Sequence, residues 1–427
     1  MQVTIQPASA ISGAIRLPGD KSISHRYAIL ASIAEGTSTL RNYSTGADPH
    51  STLHCVETLG IGVEKDGTTV KVHGKGLRGY AAPSKTLDVG NSGSTIRMMS
   101  GILAAQPFTS RLEGDASIAR RPMKRIITPL ELMGARISAV DGTYPPLEIQ
   151  GNPELRAIDY TLPVASAQVK SCVLFAGLYA DGTTVTRESH KTRDHSEIAL
   201  KEFGAKITAR GTTVSITSGA ALTGRELLVP GDLSGAAFFL VAAILARESN
   251  LVIYDVGVNP SRTALIDFLV GGGAQIKVLD VRSSGGELIG DLQVRASRFR
   301  GGLIEKGTTA ALIDEIPVLA VLGAMSEEGL EVRDAGELRV KETDRIATVA
   351  ENMRRMGVTV ETTQDGMRIP GKQKFRAAEV ESFGDHRIAM AFAVAALFAD
   401  GASTVNEAEA ASVSFAEFYD TLDRIRG

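Results

Sequence analysis

The chain has 427 residues, of which 43% are apolar and 22% are charged, and its 46 Lys and Arg residues nearly balance its 49 Asp and Glu residues. This composition is typical of a folded globular protein and excludes a disordered chain. The near-neutral charge argues against a general nucleic-acid binder. Two cysteines are too few for a disulfide framework or a multi-cysteine metal site.

Neither the start of the chain nor its apolar runs indicate a targeting or membrane segment. Met1-Gln-Val-Thr-Ile-Gln-Pro has no basic region followed by an apolar one, as a signal peptide would. The longest apolar run, from Ile388 to Ala399, is shorter than the 20 or so residues that a membrane-spanning helix needs. We therefore expect a cytoplasmic protein with no membrane partner.

A hydrophobic-Gly-x-x-β-branched signature recurs along the chain and predicts the ends of amphipathic helices. Its central glycines are Gly60, Gly134, Gly204, Gly273 and Gly357, at steps of 74, 70, 69 and 84 residues. Glycine suits the left-handed residue that follows a helix, and the alternating stretch after it indicates a strand. An Ala-rich run followed by a β-rich run also recurs six times, so the chain is predicted to contain six α/β units of roughly 70 residues.

A second level of repetition predicts two domains. Leu17-Pro-Gly-Asp20 resembles Val229-Pro-Gly-Asp232, which lies 212 residues later. We therefore expect one domain of residues 19–230 and a second of residues 1–18 plus 231–427, with three units in each. Pro-Gly at both joints suits a hinge near Gly19 and Pro230.

The residues that open the six Ala-rich helices carry the chemistry. In chain order they are Gly19-Asp-Lys21-Ser22 with Arg26, Gly90-Asn91-Ser-Gly93-Ser with Arg97, Ser166-Ala-Gln168, Gly231-Asp-Leu-Ser, Asp314-Glu315 and Gly384-Asp-His386-Arg387. A helix N-terminus offers free N–H groups and a partial positive charge to an anion. Each motif taken singly also fits an ordinary helix cap. Cations at a helix start oppose the helix dipole, however, so Lys21, Arg97 and Arg387 indicate an anionic ligand in one shared crevice.

Three further basic segments lie outside these helix starts. Residues 120–125 accompany a helix predicted to begin at Pro122, residues 190–195 open a helix ending at Phe203, and residues 338–345 open a helix running to Met356. On the last of these, Lys341 and Arg345 would lie one turn apart. A solvated charged surface is the alternative for all three segments.

Five of these motifs together resemble the 5-enolpyruvylshikimate-3-phosphate synthases of the enolpyruvyl transferase family. They are residues 17–26, 90–97, 120–123, 339–345 and 384–387, in collinear order. The resemblance implies a two-domain inside-out α/β barrel, with three βαβαββ-type repeats per domain. It also implies transfer of the carboxyvinyl group of phosphoenolpyruvate to the 5-hydroxyl of shikimate 3-phosphate, in the pathway to chorismate and the aromatic amino acids. No metal or cofactor is implied, and a monomer is expected.

The resemblance further implies a role for each motif residue. Shikimate 3-phosphate would be bound by Lys21, Ser22, Arg26, Ser166, Gln168, Arg193, Asp314 and Lys341. Phosphoenolpyruvate would be bound by Lys21, Asn91, Gly93, Arg121, Gln168, Arg345, His386 and Arg387. The catalytic residues would be Asp314, Glu342 and Lys21, with Asp314 accepting the proton of the attacking hydroxyl and Glu342 transferring a proton at the methylene carbon.

The chain departs from the better-known enteric pattern at three places. Ala167 stands where a second Ser is common, Ser94 replaces Thr, and residues 410–415 lack the usual Lys, so no role is assigned to a C-terminal lysine. Gly93 is kept, and we therefore expect the inhibitor glyphosate to compete with phosphoenolpyruvate.

Three other functions fit parts of the sequence. A sugar-nucleotide enolpyruvyl transferase would need a reactive loop cysteine, and a Lys-Asn pair where this chain has Lys21-Ser22. An anion-binding scaffold could use the same helix starts, but Asp314 and Glu342 would repel its ligand. A P-loop kinase would need a glycine where Ala14 stands.

Overall fold

The computed structural model describes residues 1–427, which form two compact units. The first unit comprises Met1–Asp20, Pro230–Arg282 and Leu288–Gly427, and the second comprises Lys21–Val229 with Ser283–Glu287. The sequence does not predict that Ser283–Glu287 belongs with the second unit. Within that unit, the Nδ1 atom of His195 lies 2.7 Å from Oε1 of Glu287 in a buried pair, which accounts for the placement.

The structure contains thirteen α-helices and twenty-three strands. The helices are α1 (Lys21–Ser32), α2 (Ala47–Thr58), α3 (Gly93–Leu103), α4 (Lys124–Leu132), α5 (Ala167–Gly177), α6 (His195–Glu202), α7 (Leu233–Leu245), α8 (Ala264–Gly271), α9 (Lys306–Leu312), α10 (Ile316–Met325), α11 (Arg345–Arg355), α12 (His386–Ala396) and α13 (Phe418–Ile425). The strands are β1 (Gln2–Ile5), β2 (Ala10–Arg16), β3 (Glu35–Arg41), β4 (Gly62–Asp66), β5 (Thr69–Lys75), β6 (Leu87–Asp88), β7 (Thr109–Glu113), β8 (Arg136–Val140), β9 (Tyr144–Gln150), β10 (Asp159–Thr161), β11 (Thr183–Arg187), β12 (Lys206–Arg210), β13 (Thr213–Thr217), β14 (Glu226–Leu228), β15 (Glu248–Gly257), β16 (Gln275–Ser284), β17 (Glu287–Arg295), β18 (Gly302–Ile304), β19 (Leu330–Val332), β20 (Glu361–Thr362), β21 (Met367–Ile369), β22 (Glu379–Glu381) and β23 (Ser403–Asn406).

The strands form six sheets, one for each predicted repeat. The second unit holds three four-stranded sheets, in the orders β14-β3-β5-β4, β6-β7-β9-β8 and β10-β11-β13-β12. The first unit holds the sheets β16-β17-β15-β2 and β18-β19-β21-β20 and the three-stranded sheet β1-β23-β22. Each sheet contains one parallel pair, such as β6 with β7 or β22 with β23. The six βαβαββ-type repeats are thus confirmed, with the sixth sheet one strand short.

The helices lie inside the units and the sheets outside, as the resemblance implies. All residues of α12 are buried, and in α1 every residue from Ile23 to Ser32 is buried. The strands instead alternate, as in β13, where buried Val214 and Ile216 lie between less buried neighbours. One face of each such strand therefore packs on the central helices while the other faces solvent.

The glycine signature is confirmed as a set of helix ends. Gly60, Gly134, Gly204, Gly273 and Gly357 follow α2, α4, α6, α8 and α11, and their φ angles are 85°, 106°, 101°, 103° and 75°. An L-residue rarely adopts such angles, so these positions require glycine.

The predicted start of the fourth helix is wrong by two residues. Arg121 is extended, with φ −86° and ψ 129°, and α4 begins at Lys124 rather than at Pro122. The N-cap is Met123, whose N–H donates to Thr143 O at 2.7 Å and so ties the residues before Lys124 to the turn between β8 and β9.

Two other predicted helices are shorter than expected. Helix α6 begins at His195 rather than at residue 190. Helix α11 begins at Arg345, since the Asp344 side chain accepts a hydrogen bond from Ala347 N. Lys341 is extended and precedes the helix, so it does not share a helix face with Arg345.

No single helix is long and apolar enough to cross a membrane. The helices α9 and α10 together are long and apolar enough for a membrane span, but the chain bends by 109° between them. Nearly all of α10 is buried in the core of the first unit.

Candidate functional site

In the second unit, the start of α1 places two cations where the sequence predicted them. Lys21 Nζ lies 2.9 Å from Asp48 Oδ2 on α2, and 17% of the Lys21 side chain is exposed. Arg26, one turn later, is buried and donates from Nε to Ser196 Oγ at 2.6 Å and from Nη2 to Ser171 Oγ at 3.0 Å. The carboxylate of Asp48 offsets the repulsion between Lys21 and the positive end of the helix.

The start of α3 brings two guanidinium groups to the backbone of one glycine. Ser92 caps the helix by accepting a hydrogen bond from Thr95 N at 3.1 Å. A methyl group on Gly93 would lie 2.6 Å from Arg97 Nη1 and 3.0 Å from Arg121 Nη1. Arg121 Nη2 also donates to Asn91 Oδ1 at 3.4 Å. Two cations and a helix N-terminus therefore converge on this glycine, an arrangement that suits an anion.

The start of α5 is joined to the start of α3 by one glutamine side chain. Gln168 accepts a hydrogen bond from Arg97 Nη1 at 2.8 Å and donates one to Ser94 Oγ at 2.9 Å. Ser166 caps α5, with Val169 N 3.4 Å from its hydroxyl. Arg193 lies in the loop before α6 and is partly exposed. The structure thus groups Asn91, Gly93, Arg121 and Gln168, whereas Lys21 pairs separately with Asp48.

Arg97 is absent from the predicted ligand residues, although it belongs to the motif of residues 90–97. Its guanidinium contacts both Gly93 and Gln168, and this contact depends on a pairing of helices 71 residues apart. The sequence pattern singled out Arg97 as a cation one turn after a glycine-rich helix start, but the resemblance assigns it to neither substrate.

In the first unit, Asp314 lies among three predicted cations. Its Oδ1 atom is 3.5 Å from Lys341 Nζ and 3.6 Å from Arg345 Nη1. Its carbonyl oxygen accepts a hydrogen bond from Arg387 Nη1 at 2.8 Å. The Asp314 side chain is 18% exposed, so it can still reach a ligand. Lys341 and Arg345 therefore meet at a carboxylate, although the predicted shared helix face is wrong.

Arg345 is the most strongly held of these cations. It is 1% exposed, and it donates from Nε to Asp385 Oδ2 at 2.8 Å and from Nη2 to Glu342 Oε2 at 2.7 Å. Burial alone would lower the pKa of Arg345, but the carboxylates of Asp385 and Glu342 outweigh it and raise that pKa above its ordinary value. The guanidinium is a permanent, oriented charge.

Asp385 links Arg345 to the start of α12. Its Oδ1 atom accepts a hydrogen bond from Arg387 N at 2.8 Å, which caps the helix. The neighbouring His386 is buried, with Nδ1 4.0 Å from Asp385 Oδ1. One buried carboxylate therefore contacts the guanidinium group of Arg345 and the backbone N–H of Arg387, two residues predicted to bind the same ligand.

A second cluster, which sequence reasoning missed, surrounds Arg262 in the first unit. Its Nη2 atom lies 3.5 Å from Asp232 Oδ1, 3.9 Å from Asp20 Oδ2 and 4.0 Å from Glu315 Oε1. Glu315 is the residue next to Asp314. Burial, followed by the charge of Asp20, raises the pKa of Asp232 to about 6, against the opposing effect of Arg262.

Asp232 is expected to make the protein less stable as the pH rises from about 4 through about 6, since its pKa of about 6 in the folded chain exceeds the ordinary value of 3.8. The folded chain then keeps a proton that the unfolded chain releases, and this stabilisation is lost with increasing pH. Asp232→Asn, which keeps the helix cap, should flatten this part of the profile of melting temperature against pH. The exposed Asp267→Asn is the control, and an unchanged profile in Asp232→Asn would contradict the assignment.

Taken together, each unit presents helix N-termini, arginines and lysines that suit phosphate and carboxylate groups. The first unit adds two carboxylates, Asp314 and Glu342, within this cationic surrounding. A carboxylate so placed can accept or donate a proton in a reaction of an anionic substrate.

Comparisons with known proteins agree with this chemistry. The model of the family EPSP synthase (3-phosphoshikimate 1-carboxyvinyltransferase) matches residues 5–422. A 3-phosphoshikimate 1-carboxyvinyltransferase of Solibacter usitatus is 65% identical over 425 residues, with 100% of both chains covered. One of Koribacter versatilis is 54% identical, with 99% of both chains covered.

Solved structures give the same result for the fold. An EPSP synthase of Acinetobacter baumannii superposes with a TM-score of 0.89 at 40% identity, covering 100% of this chain and 98% of that one. The enolpyruvyl transferase NikO of Streptomyces tendae has a TM-score of 0.80 at 16% identity, covering 99% and 96%, which shows a shared fold alone.

Proposed function

This chain belongs to the EPSP synthase (3-phosphoshikimate 1-carboxyvinyltransferase) family, and we propose that the residues described above carry out the reaction of that family. These transferases move the enolpyruvyl group of phosphoenolpyruvate to the 5-hydroxyl of shikimate 3-phosphate and release phosphate. The step belongs to the shikimate pathway, which leads to the aromatic amino acids.

One observation carries the assignment of residues, namely the contacts of Asp314 with Lys341, Arg345 and Arg387. Cations alone would bind two anionic substrates, but they would not remove a proton from a hydroxyl group. A carboxylate held at this point supplies the base, and a protein that only binds anions would gain nothing from it.

The chemistry divides into an addition and an elimination. In the addition, C3 of phosphoenolpyruvate gains a proton, the substrate oxygen attacks C2, and Asp314 accepts the proton of the attacking hydroxyl. In the elimination, a proton leaves C3 and the C2–O bond to phosphate breaks. We assign the transfers at C3 to Glu342, which Arg345 holds at 2.7 Å. Lys21 assists where negative charge develops on the leaving phosphate.

The remaining residues are assigned by charge and placement. Phosphoenolpyruvate is bound by Lys21, Asn91, Gly93, Arg121, Gln168, Arg345, His386 and Arg387, of which Asn91, Gly93, Arg121 and Gln168 contact each other or Arg97. Shikimate 3-phosphate is bound by Lys21, Ser22, Arg26, Ser166, Gln168, Arg193, Asp314 and Lys341. Guanidinium groups bind phosphate and carboxylate in a bidentate fashion, which supports the assignment of several arginines to these two substrates.

The test is release of inorganic phosphate from phosphoenolpyruvate in the presence of shikimate 3-phosphate. We expect release only when both substrates are present, with 5-enolpyruvylshikimate 3-phosphate as the second product by mass spectrometry. Omitting either substrate is the control. Release that requires a sugar nucleotide instead, or binding without turnover, would overturn the assignment.

We also propose a cytoplasmic location and a monomeric state. Both substrates are small soluble anions, and every group assigned to them comes from one chain. Light scattering on the purified protein measures its molar mass in solution and so tests the monomeric state.

Gly93→Ala is expected to raise KM for phosphoenolpyruvate about 10-fold or more, and to weaken competitive inhibition by glyphosate in parallel. The added methyl group would lie 2.6 Å and 3.0 Å from the Arg97 and Arg121 guanidinium groups, so both must move. Steady-state kinetics measures both effects. Gly271→Ala is the matched control, because no atom other than its own chain neighbours and the backbone of its own helix lies within 4 Å of the added methyl group. A wild-type enzyme in which glyphosate does not compete, or a variant with unchanged KM, would contradict the prediction.

A further inference from the structure

A buried lysine that the proposed reaction does not use lies in the second unit. Lys170 is on α5, is 1% exposed, and has Nζ 2.9 Å from Glu188 Oε2 and 2.7 Å from Glu197 Oε1. Burial raises the pKa of Glu197 although Lys170 opposes the shift. Desolvation offsets most of the attraction in such a buried cluster, so it contributes little to stability. Its presence inside the unit calls for another explanation.

The two carboxylates stand at opposite ends of one short segment. Glu188 follows β11, and Glu197 lies in the first turn of α6. Within the segment, the Thr192 hydroxyl donates to Glu188 Oε1, and Thr192 N is 3.5 Å from Glu188 Oε2. Arg193 is the next residue. Lys170 thus joins both ends of the segment that carries Arg193.

A second set of bonds fixes the same two helices. Ser171 on α5 and Ser196 on α6 share a hydrogen bond at 2.5 Å, and Arg26 donates to both. Each of these serines is adjacent in sequence to a member of the Lys170 cluster. The network therefore extends from Lys170 to the start of α6 without touching the residues assigned to phosphoenolpyruvate, except through α5 itself.

We propose that Lys170 is a positioning residue that holds Arg193 in the geometry required to bind shikimate 3-phosphate. The ammonium group fixes Glu188 and Glu197, and these fix the segment from both sides. The inference rests on the proposed role of Arg193. It assigns to Lys170 a specific effect on one substrate, not a general contribution to the core.

The test is the variant Lys170→Met, which keeps the length of the side chain and removes its charge. We expect KM for shikimate 3-phosphate to rise about 10-fold or more, because a displaced ligand group costs binding. KM for phosphoenolpyruvate should stay within about twofold. Amide hydrogen exchange in residues 188–197 should become faster.

Two further variants separate the possible outcomes. Val173→Ala shortens a buried side chain on the same helix, and should lower the melting temperature without changing either KM or exchange in residues 188–197. Arg193→Ala tests the role of Arg193 directly. If Arg193→Ala leaves KM for shikimate 3-phosphate unchanged, the proposed role of Arg193 fails. If Arg193→Ala raises KM and Lys170→Met does not, the inference about Lys170 fails alone.

A Lys170→Met protein that does not fold would be replaced by Glu188→Gln, which keeps the shape of the side chain and removes one of the two charges facing Lys170. The same rise in KM for shikimate 3-phosphate and the same faster exchange are expected, to a smaller degree. A lower melting temperature with both KM values and the exchange rates unchanged would show a purely structural role and would overturn the proposal.

Discussion

Asp314→Asn is expected to lower kcat by a factor of about 10² to 10⁴, the usual contribution of a general base. The amide keeps the size of the side chain and can still accept hydrogen bonds from Lys341 and Arg345, which lie 3.5 Å and 3.6 Å from Oδ1. It cannot take up the proton of the attacking hydroxyl. Because the substitution also removes a negative charge, binding of the anionic shikimate 3-phosphate should be kept or become tighter.

Calorimetric titration of shikimate 3-phosphate and phosphate-release kinetics measure the two effects on the same protein. The matched control is Asp267→Asn, an exposed aspartate in the first turn of α8. Loss of substrate binding would show that the negative charge of Asp314 is needed to bind shikimate 3-phosphate or to hold the cations in place. Unchanged turnover would show that Asp314 is not the general base. It would favour a protein that binds anions without catalysing a reaction.

Local features of the chain were predictable because short-range physics determines them. Gly134 ends α4 because its φ of 106° admits glycine alone, and Asp385 starts α12 because its carboxylate caps the helix. The repetition of such signals predicted the six repeats. The same signals predicted the starts of α1, α3 and α5, where several of the predicted ligand residues lie.

Contacts between distant segments could not be predicted in this way. The helix expected to include Lys341 begins four residues later, since Asp344 caps it, yet Lys341 still reaches Asp314 from the preceding loop. The cluster around Arg262 and the segment Ser283–Glu287 depend on pairings across the chain that leave no periodic trace. Motif resemblance supplied the roles of the site residues, whereas their partners came from the structure alone.

Arg345→Gln is expected to lower both the stability of the folded protein and kcat/KM for phosphoenolpyruvate. The guanidinium is 1% exposed and bridges Asp385, Glu342 and Asp314. Its removal leaves the fully buried Asp385 without its guanidinium partner, whereas Asp314 keeps Lys341. Breaking a buried ion pair in this way costs about 3–5 kcal/mol. Arg345 is also assigned to phosphoenolpyruvate, and the Asp385 cap at the start of the helix that carries Arg387 loses its guanidinium partner. We therefore expect kcat/KM for phosphoenolpyruvate to fall by about 100-fold or more.

Arg345→Lys separates charge from geometry. Lysine keeps the positive charge that the three carboxylates require, so thermal denaturation should show a smaller loss of stability than in Arg345→Gln. It cannot reproduce the planar fork that contacts Asp385 at 2.8 Å and 3.2 Å and Glu342 at 2.7 Å, so kcat/KM for phosphoenolpyruvate should stay low. Full activity in Arg345→Lys would mean that the site needs only a charge at this position. The bidentate geometry would then have no part in binding, and Asp385 would act as a helix cap and nothing more.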